Sequence, residues 1–134
     1  MPEMPFITAT YASILALFFV GLSIRVIQLR YTFRVSLGDG GEERLERAIR
    51  GQGNFAEYAP ITLVLMLCLE FLQGPGWLIH ATGLALVAGR LAHGVCFAFL
   101  ESGMGLRRAG VILTFTAIIT AAFGNLAVVF LAAS

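Results

Sequence analysis

The sequence predicts an all-α fold: a four-helix bundle embedded in a membrane, one domain over residues 1–134. Three observations predict it. Hydrophobic residues make up 58% of the chain and charged residues only 13%, with a mean hydropathy of +0.86. An average soluble domain carries about 25% charged residues, and a chain this short has too little interior to hide so much apolar surface. The apolar residues fall into four long stretches, and most charges gather between them. The first stretch, Met4 to Ile24, has no charge at all and is long enough to span a bilayer.

That first helix is not patterned as a cleavable signal. Its leading "MPEMP" has no positive charge, and its apolar region is too long. The polar run "RVIQLRYTFRVSLGDGGEERLER" follows, with a turn at "GDGG". Asp39 or a neighbouring glycine can end that loop, and Glu42 and Glu43 suit the positive end of the next helix. The second helix reaches about Leu72 and stops at "QGPG". A third starts near Trp77, a residue suited to the membrane interface, and runs to about Phe99. "LESGMG" breaks it, and the last helix covers about Leu106 to Ala132.

Arginine distribution sets the expected orientation. All nine basic residues are arginine; six lie in or beside the first loop, and Arg107 and Arg108 follow the third. By the positive-inside rule those loops are cytoplasmic and both termini outside, as in a multi-pass protein of a bacterial inner membrane. The net charge of +1 gives no field for nucleic acid. Cys68 and Cys96 sit in apolar segments as small buried hydrophobes, without spacing for a disulfide or a metal site. No metal is expected.

Some charges cannot leave the membrane. Between Glu57 and Glu70 only residues 58–69 are uncharged, about 18 Å of helix against about 30 Å of hydrocarbon. Arg90 and His93 likewise follow the short apolar run from Trp77 to Gly89. An ionised group at mid-bilayer costs about 2.5–3.5 kcal/mol, so each is expected to face the interior with a partner. Arg50, Asn54 and Glu57 share one helical face, as do Arg90, His93 and Phe97. Antiparallel register, counted from the loop ends, sets Glu57 beside Arg90, Asn54 beside His93 and Arg50 beside Phe97. The packing can be within one chain or between chains. The bland alternative is polar glue between helices, the role expected of Asn125, with Glu70 at the outer interface.

The stretch "ERAIRGQGNFAEYAP" resembles the signature of the MAPEG family, the membrane-associated proteins of eicosanoid and glutathione metabolism: an E-R pair, then R-A-x-x-N-x-x-E-x-x-P. The chain supplies Glu46, Arg47, Arg50, Asn54, Glu57, Tyr58 and Pro60, with Gly51 where alanine is usual. "RYTFRVS", "GRLAHGVCF" and "LRRAGVILTF" resemble other helices of the family, and the loop resembles its bacterial branch. The resemblance implies a homotrimer that binds glutathione as co-substrate between subunits. It assigns Arg50, Gln52, Asn54, Glu57 and Tyr58 to glutathione, places Arg30 near the thiol, and makes Arg107 the thiolate-stabilising residue, with Arg108 its neighbour. Two tyrosines of the leukotriene synthase branch are here His93 and Phe97.

Glutathione chemistry fits these residue types. Two carboxylates call for arginine forks, an ammonium for a carboxylate such as Glu57, and amides for Asn54 or Gln52. Arg90 and His93 complete the expected polar cleft. A thiolate is the reactive form of the thiol, and lowering its pKa by two units corresponds to about 2.7 kcal/mol. The second substrate would be a lipophilic small molecule arriving through membrane lipid. The expected function is therefore a glutathione transferase or peroxidase. The alternative is a non-catalytic lipid- or partner-binding scaffold; a transporter ranks last, since four short-looped helices show no inverted repeat.

Overall fold

In a computed structural model, the structure describes residues 4–100 and 103–133. Four helices follow in order: α1 (Phe6–Phe33), α2 (Glu43–Phe71), α3 (Gly76–Phe99) and α4 (Met104–Ala133). All four are long and apolar enough to cross a membrane. The chain is an all-α, multi-pass membrane bundle, as its composition predicts. The start of "MPEMP" and Glu101 and Ser102 of the "LESGMG" break lie outside the described residues.

The helix α1 runs well past the uncharged stretch that ended at Ile24. Nothing between Arg25 and Phe33 breaks a helix, and Arg, Gln and Leu favour one. Val26 and Leu29 extend the buried face and pack with Leu45 and Ala48 of α2. The end is a left-handed cap at Arg34, where the Val35 amide donates to Arg30 O at 3.0 Å. The following loop turns through Gly38, Gly40 and Gly41, all at positive φ. Asp39 Oδ1 accepts the Gly41 amide at 2.9 Å within it.

The helices α2 and α3 form the central pair. Each touches the other and both flanking helices, while α1 and α4 do not meet among the described residues. Small residues make the α3–α4 contact close. The buried face of α4 is Gly110, Thr114, Ala117, Ala121 and Gly124, at alternating spacings of four and three. A Cβ on Gly89 would lie 2.9 Å from Gly110 O, and one on Gly110 would lie 2.8 Å from Gly89 O. The two backbones therefore touch, and Gly89 is used inside the chain.

At the end opposite the arginines, Glu70 has a definite task. Its Oε1 and Oε2 accept the Ile7 and Thr8 amides, each at 2.8 Å. A side chain of α2 thus caps α1, satisfying two amides that a helix start leaves open. Asn125 bridges helices as expected, donating to Leu65 O at 2.9 Å. Cys96 is buried, but Cys68 is exposed on the outer face of α2, contrary to the expectation for both cysteines. In a membrane that face meets lipid, where an apolar thiol incurs little penalty.

Candidate functional site

The polar interior is organised by Arg90. This residue is only 2% exposed. Its Nη1 donates to Asn54 Oδ1 at 2.9 Å and to Asn54 O at 3.1 Å, and its Nε donates to Thr114 Oγ1 at 3.1 Å. The Tyr58 ring lies 5.7 Å from the guanidinium. Arg90 thus ties α2, α3 and α4 together, and its charge is met by neutral oxygens within the chain.

This differs from the register counted from the loops. Glu57 is exposed and makes no bond to Arg90 among the described residues. Asn54 takes that place, although Gly51 meets Phe97 within one residue of the expected Arg50–Phe97 pairing. The physical cause is the rotation of α2, which buries Phe55 and Ala59, turns Glu57 outward and seats the helix at Gly51. A Cβ there would lie 2.8 Å from the Phe97 Cβ, so the missing side chain lets α3 seat against that point of α2. Counting from helix ends has no access to such a contact.

Toward the arginine-bearing end the α3 face continues as a stack. His93 is buried and its ring lies 4.8 Å from that of Phe97. The Arg107 guanidinium sits 4.9 Å from the centre of the Phe97 ring. His93 Nδ1 is buried without a hydrogen-bond partner among the described residues. Above this stack is a cavity of about 430 Å³, with Arg47, Arg50, Cys96, Phe97 and Arg107 in its walls. Arg50 is largely exposed and held at Nε by Glu46 Oε1 at 3.1 Å. Arg47 donates to Leu100 O at 2.6 Å and Cys96 O at 3.3 Å, the open carbonyls at the end of α3.

The remaining expected residues stand elsewhere. Gln52 faces α1 and donates to Ser23 Oγ at 2.7 Å. Arg30 braces the first loop through Gly38 O at 2.9 Å. A single chain therefore brings together Arg50 and Arg107 at the cavity, with Asn54, Tyr58, Arg90 and His93 beneath. It leaves Arg30 and Gln52 on the α1 side and Glu57 on the outer surface. Thr114, Ser23 and the cavity role of Arg47 escaped the sequence reading. Thr114 had one signal, its position seven residues after Arg107 and so on the same helical face.

Comparison with known proteins places the chain in a family. The model of the MAPEG family matches residues 8–127. The chain is 39% identical over 120 residues to "Inner membrane protein YecN" of Escherichia coli strain K12, covering 90% of each chain. The match to the protein of that name from Escherichia coli O6:H1 strain CFT073 has the same identity and coverage. With the family signature on α2, four apolar helices and a match across nearly its whole length, this chain belongs to the MAPEG family.

Proposed function

We propose that the protein is an inner-membrane glutathione transferase or peroxidase that presents the glutathione thiolate to lipophilic substrates. The observation that carries this reading is the convergence of Arg47, Arg50 and Arg107 on one cavity, which Glu43 and Glu46 also line, above a buried polar layer. Arginine forks suit the two carboxylates of glutathione, and Asn54 and Tyr58 lie beside them in sequence and depth. Arg107 stands in the first turn of α4, where the helix dipole adds positive potential. Both effects favour a thiolate over a thiol. Glutathione bound there would supply the sulfur nucleophile, which displaces a leaving group from an electrophile or reduces a hydroperoxide.

The division of the expected residues between two faces supports a site completed by a second copy. Arg50 and Arg107 lie on one side of α2, and Arg30 and Gln52 on the other. In a homotrimer one subunit would offer the first set and its neighbour the second. Glu57, an acidic residue on the outer surface of a membrane helix, then gains a polar environment in place of lipid. The expected topology puts this cavity on the cytoplasmic side, with both termini outside, which gives access to soluble glutathione. The inner-membrane name of the Escherichia coli relatives agrees with that location.

Calorimetry of the detergent-purified protein with glutathione tests the binding. Turnover with chlorodinitrobenzene and with cumene hydroperoxide tests the two reactions. Binding with turnover supports the proposal. Lipid or partner binding without thiol chemistry would replace it with the scaffold reading. That reading draws on Phe97, which offers no hydroxyl and packs its ring under Arg107.

A further inference from the structure

A second basic cavity, of about 450 Å³, lies on the other side of Arg47 from the first. Its walls include Arg25 from α1, Glu43, Arg44 and Arg47 from α2, and Phe99 and Leu100 at the end of α3. Among the described residues three guanidiniums thus face one carboxylate. Arg25 and Arg44 play no part in the proposed glutathione site.

The depth of these residues is common to all three helices. Arg25 lies about 28 Å along α1 from Phe6, at 1.5 Å per residue. Arg47 lies about 36 Å from Phe71 along α2, and Phe99 about 34 Å from Gly76 along α3. With about 30 Å of hydrocarbon, the cavity falls at the boundary where headgroup phosphates lie. Its composition changes in the same direction. Phe99 and Leu100 are exposed apolar side chains on the rim, 56% and 41% accessible. Arg47 stands level with them and Arg44 about one turn beyond, while Arg25 lies slightly nearer the membrane.

Two of the arginines are fixed in place. Arg25 donates from Nε to Ala98 O at 3.2 Å, with its guanidinium 5.4 Å from the Phe99 ring centre. Arg47 holds the carbonyls of Cys96 and Leu100. Capping α3 accounts for these two contacts, but Arg44 takes no part in them and still lines the cavity. Held guanidiniums above an apolar ledge match a phosphate attached to acyl chains.

We propose that this cavity binds the phosphate of an anionic phospholipid, its acyl chains lying over Phe99 and Leu100. Native mass spectrometry of the full chain in detergent tests it, with phosphatidylglycerol, phosphatidylcholine and inorganic phosphate as separate probes. Phosphatidylglycerol should bind in preference to phosphatidylcholine. The exposed change Arg44→Gln should weaken phosphatidylglycerol binding about fivefold, and Arg25→Gln with Arg44→Gln about thirtyfold. Arg34→Gln removes an exposed arginine at the same end but outside the cavity, and should leave binding nearly unchanged. Equal loss from Arg34→Gln would show diffuse attraction and overturn the site. Equal binding of the two lipids would also overturn it, as would binding of inorganic phosphate with no retained lipid.

Discussion

The clearest quantitative consequence concerns Thr114, because Arg90 leans on it from inside the bundle. Thr114→Val keeps the shape of the side chain and removes one oxygen. That oxygen accepts Arg90 Nε at 3.1 Å and donates to Gly110 O at 2.8 Å. The second bond matters little, since a hydroxyl bonded back along its own helix returns no net tertiary gain. The first is a bond to a charged donor, worth about 1.5–3 kcal/mol in soluble proteins. In membranes the unfolded reference also finds partners, and measured couplings reach only about 1.7 kcal/mol. We therefore expect a loss of about 1.5 kcal/mol, roughly a tenfold shift in the folding equilibrium. The assay is unfolding in mixed dodecylmaltoside and dodecyl sulfate micelles, followed by pulse proteolysis at fixed protein concentration. A double-mutant cycle with Arg90→Met isolates the contact. In the Arg90→Met background, Thr114→Val should cost almost nothing. If the two changes add within about 0.5 kcal/mol, the Arg90–Thr114 bond contributes nothing and the account of the polar interior fails.

Further outcomes follow from other contacts. Glu70→Ala leaves the Ile7 and Thr8 amides uncapped, so the first turn of α1 should exchange hydrogen faster and stability should fall by about 1 kcal/mol. Gly89→Ala drives a methyl into Gly110 O and Thr114, and should cost about 1–3 kcal/mol in the same micelle assay. Arg50→Ala should weaken glutathione binding by about 1.5–3 kcal/mol in calorimetry, provided the variant remains assembled. Arg107→Ala should abolish the ultraviolet absorbance of bound thiolate and slow turnover, with a smaller effect on affinity. Arg108→Ala should do much less, and the reverse ranking would move the thiolate to Arg108.

The fold was legible because membrane insertion depends on length and polarity, which a sequence states outright. Residues 4–24 read as a span without reference to anything else. The end of α1 was legible only through the resemblance of "RYTFRVS" to the end of the family's first helix, since polarity marks where hydrocarbon stops and not where a helix does. The site was legible in its cast and less so in its pairing. That Arg90 needs a partner follows from the cost of a charge in a membrane. Which partner it finds depends on the face that α2 turns toward α3, and that face is set by packing at Gly51, Phe55 and Ala59. The buried face of α2 runs through Gly51, Phe55 and Ala59, which gives Asn54 to Arg90 and leaves Glu57 outside. This has a functional edge. An acid paired with Arg90 would be neutralised within its own chain. Outside that pairing, Glu57 is available, on the proposed function, to a neighbouring subunit or to the ammonium group of glutathione. Gly51→Ala should act through the seating of α3 on α2: Phe97 must move, and the Arg107–Phe97 stack must shift with it. Its expected signature is loss of glutathione binding in a protein that still inserts and remains helical by circular dichroism. Binding equal to that of the wild type would show that the Gly51–Phe97 contact does not hold the site.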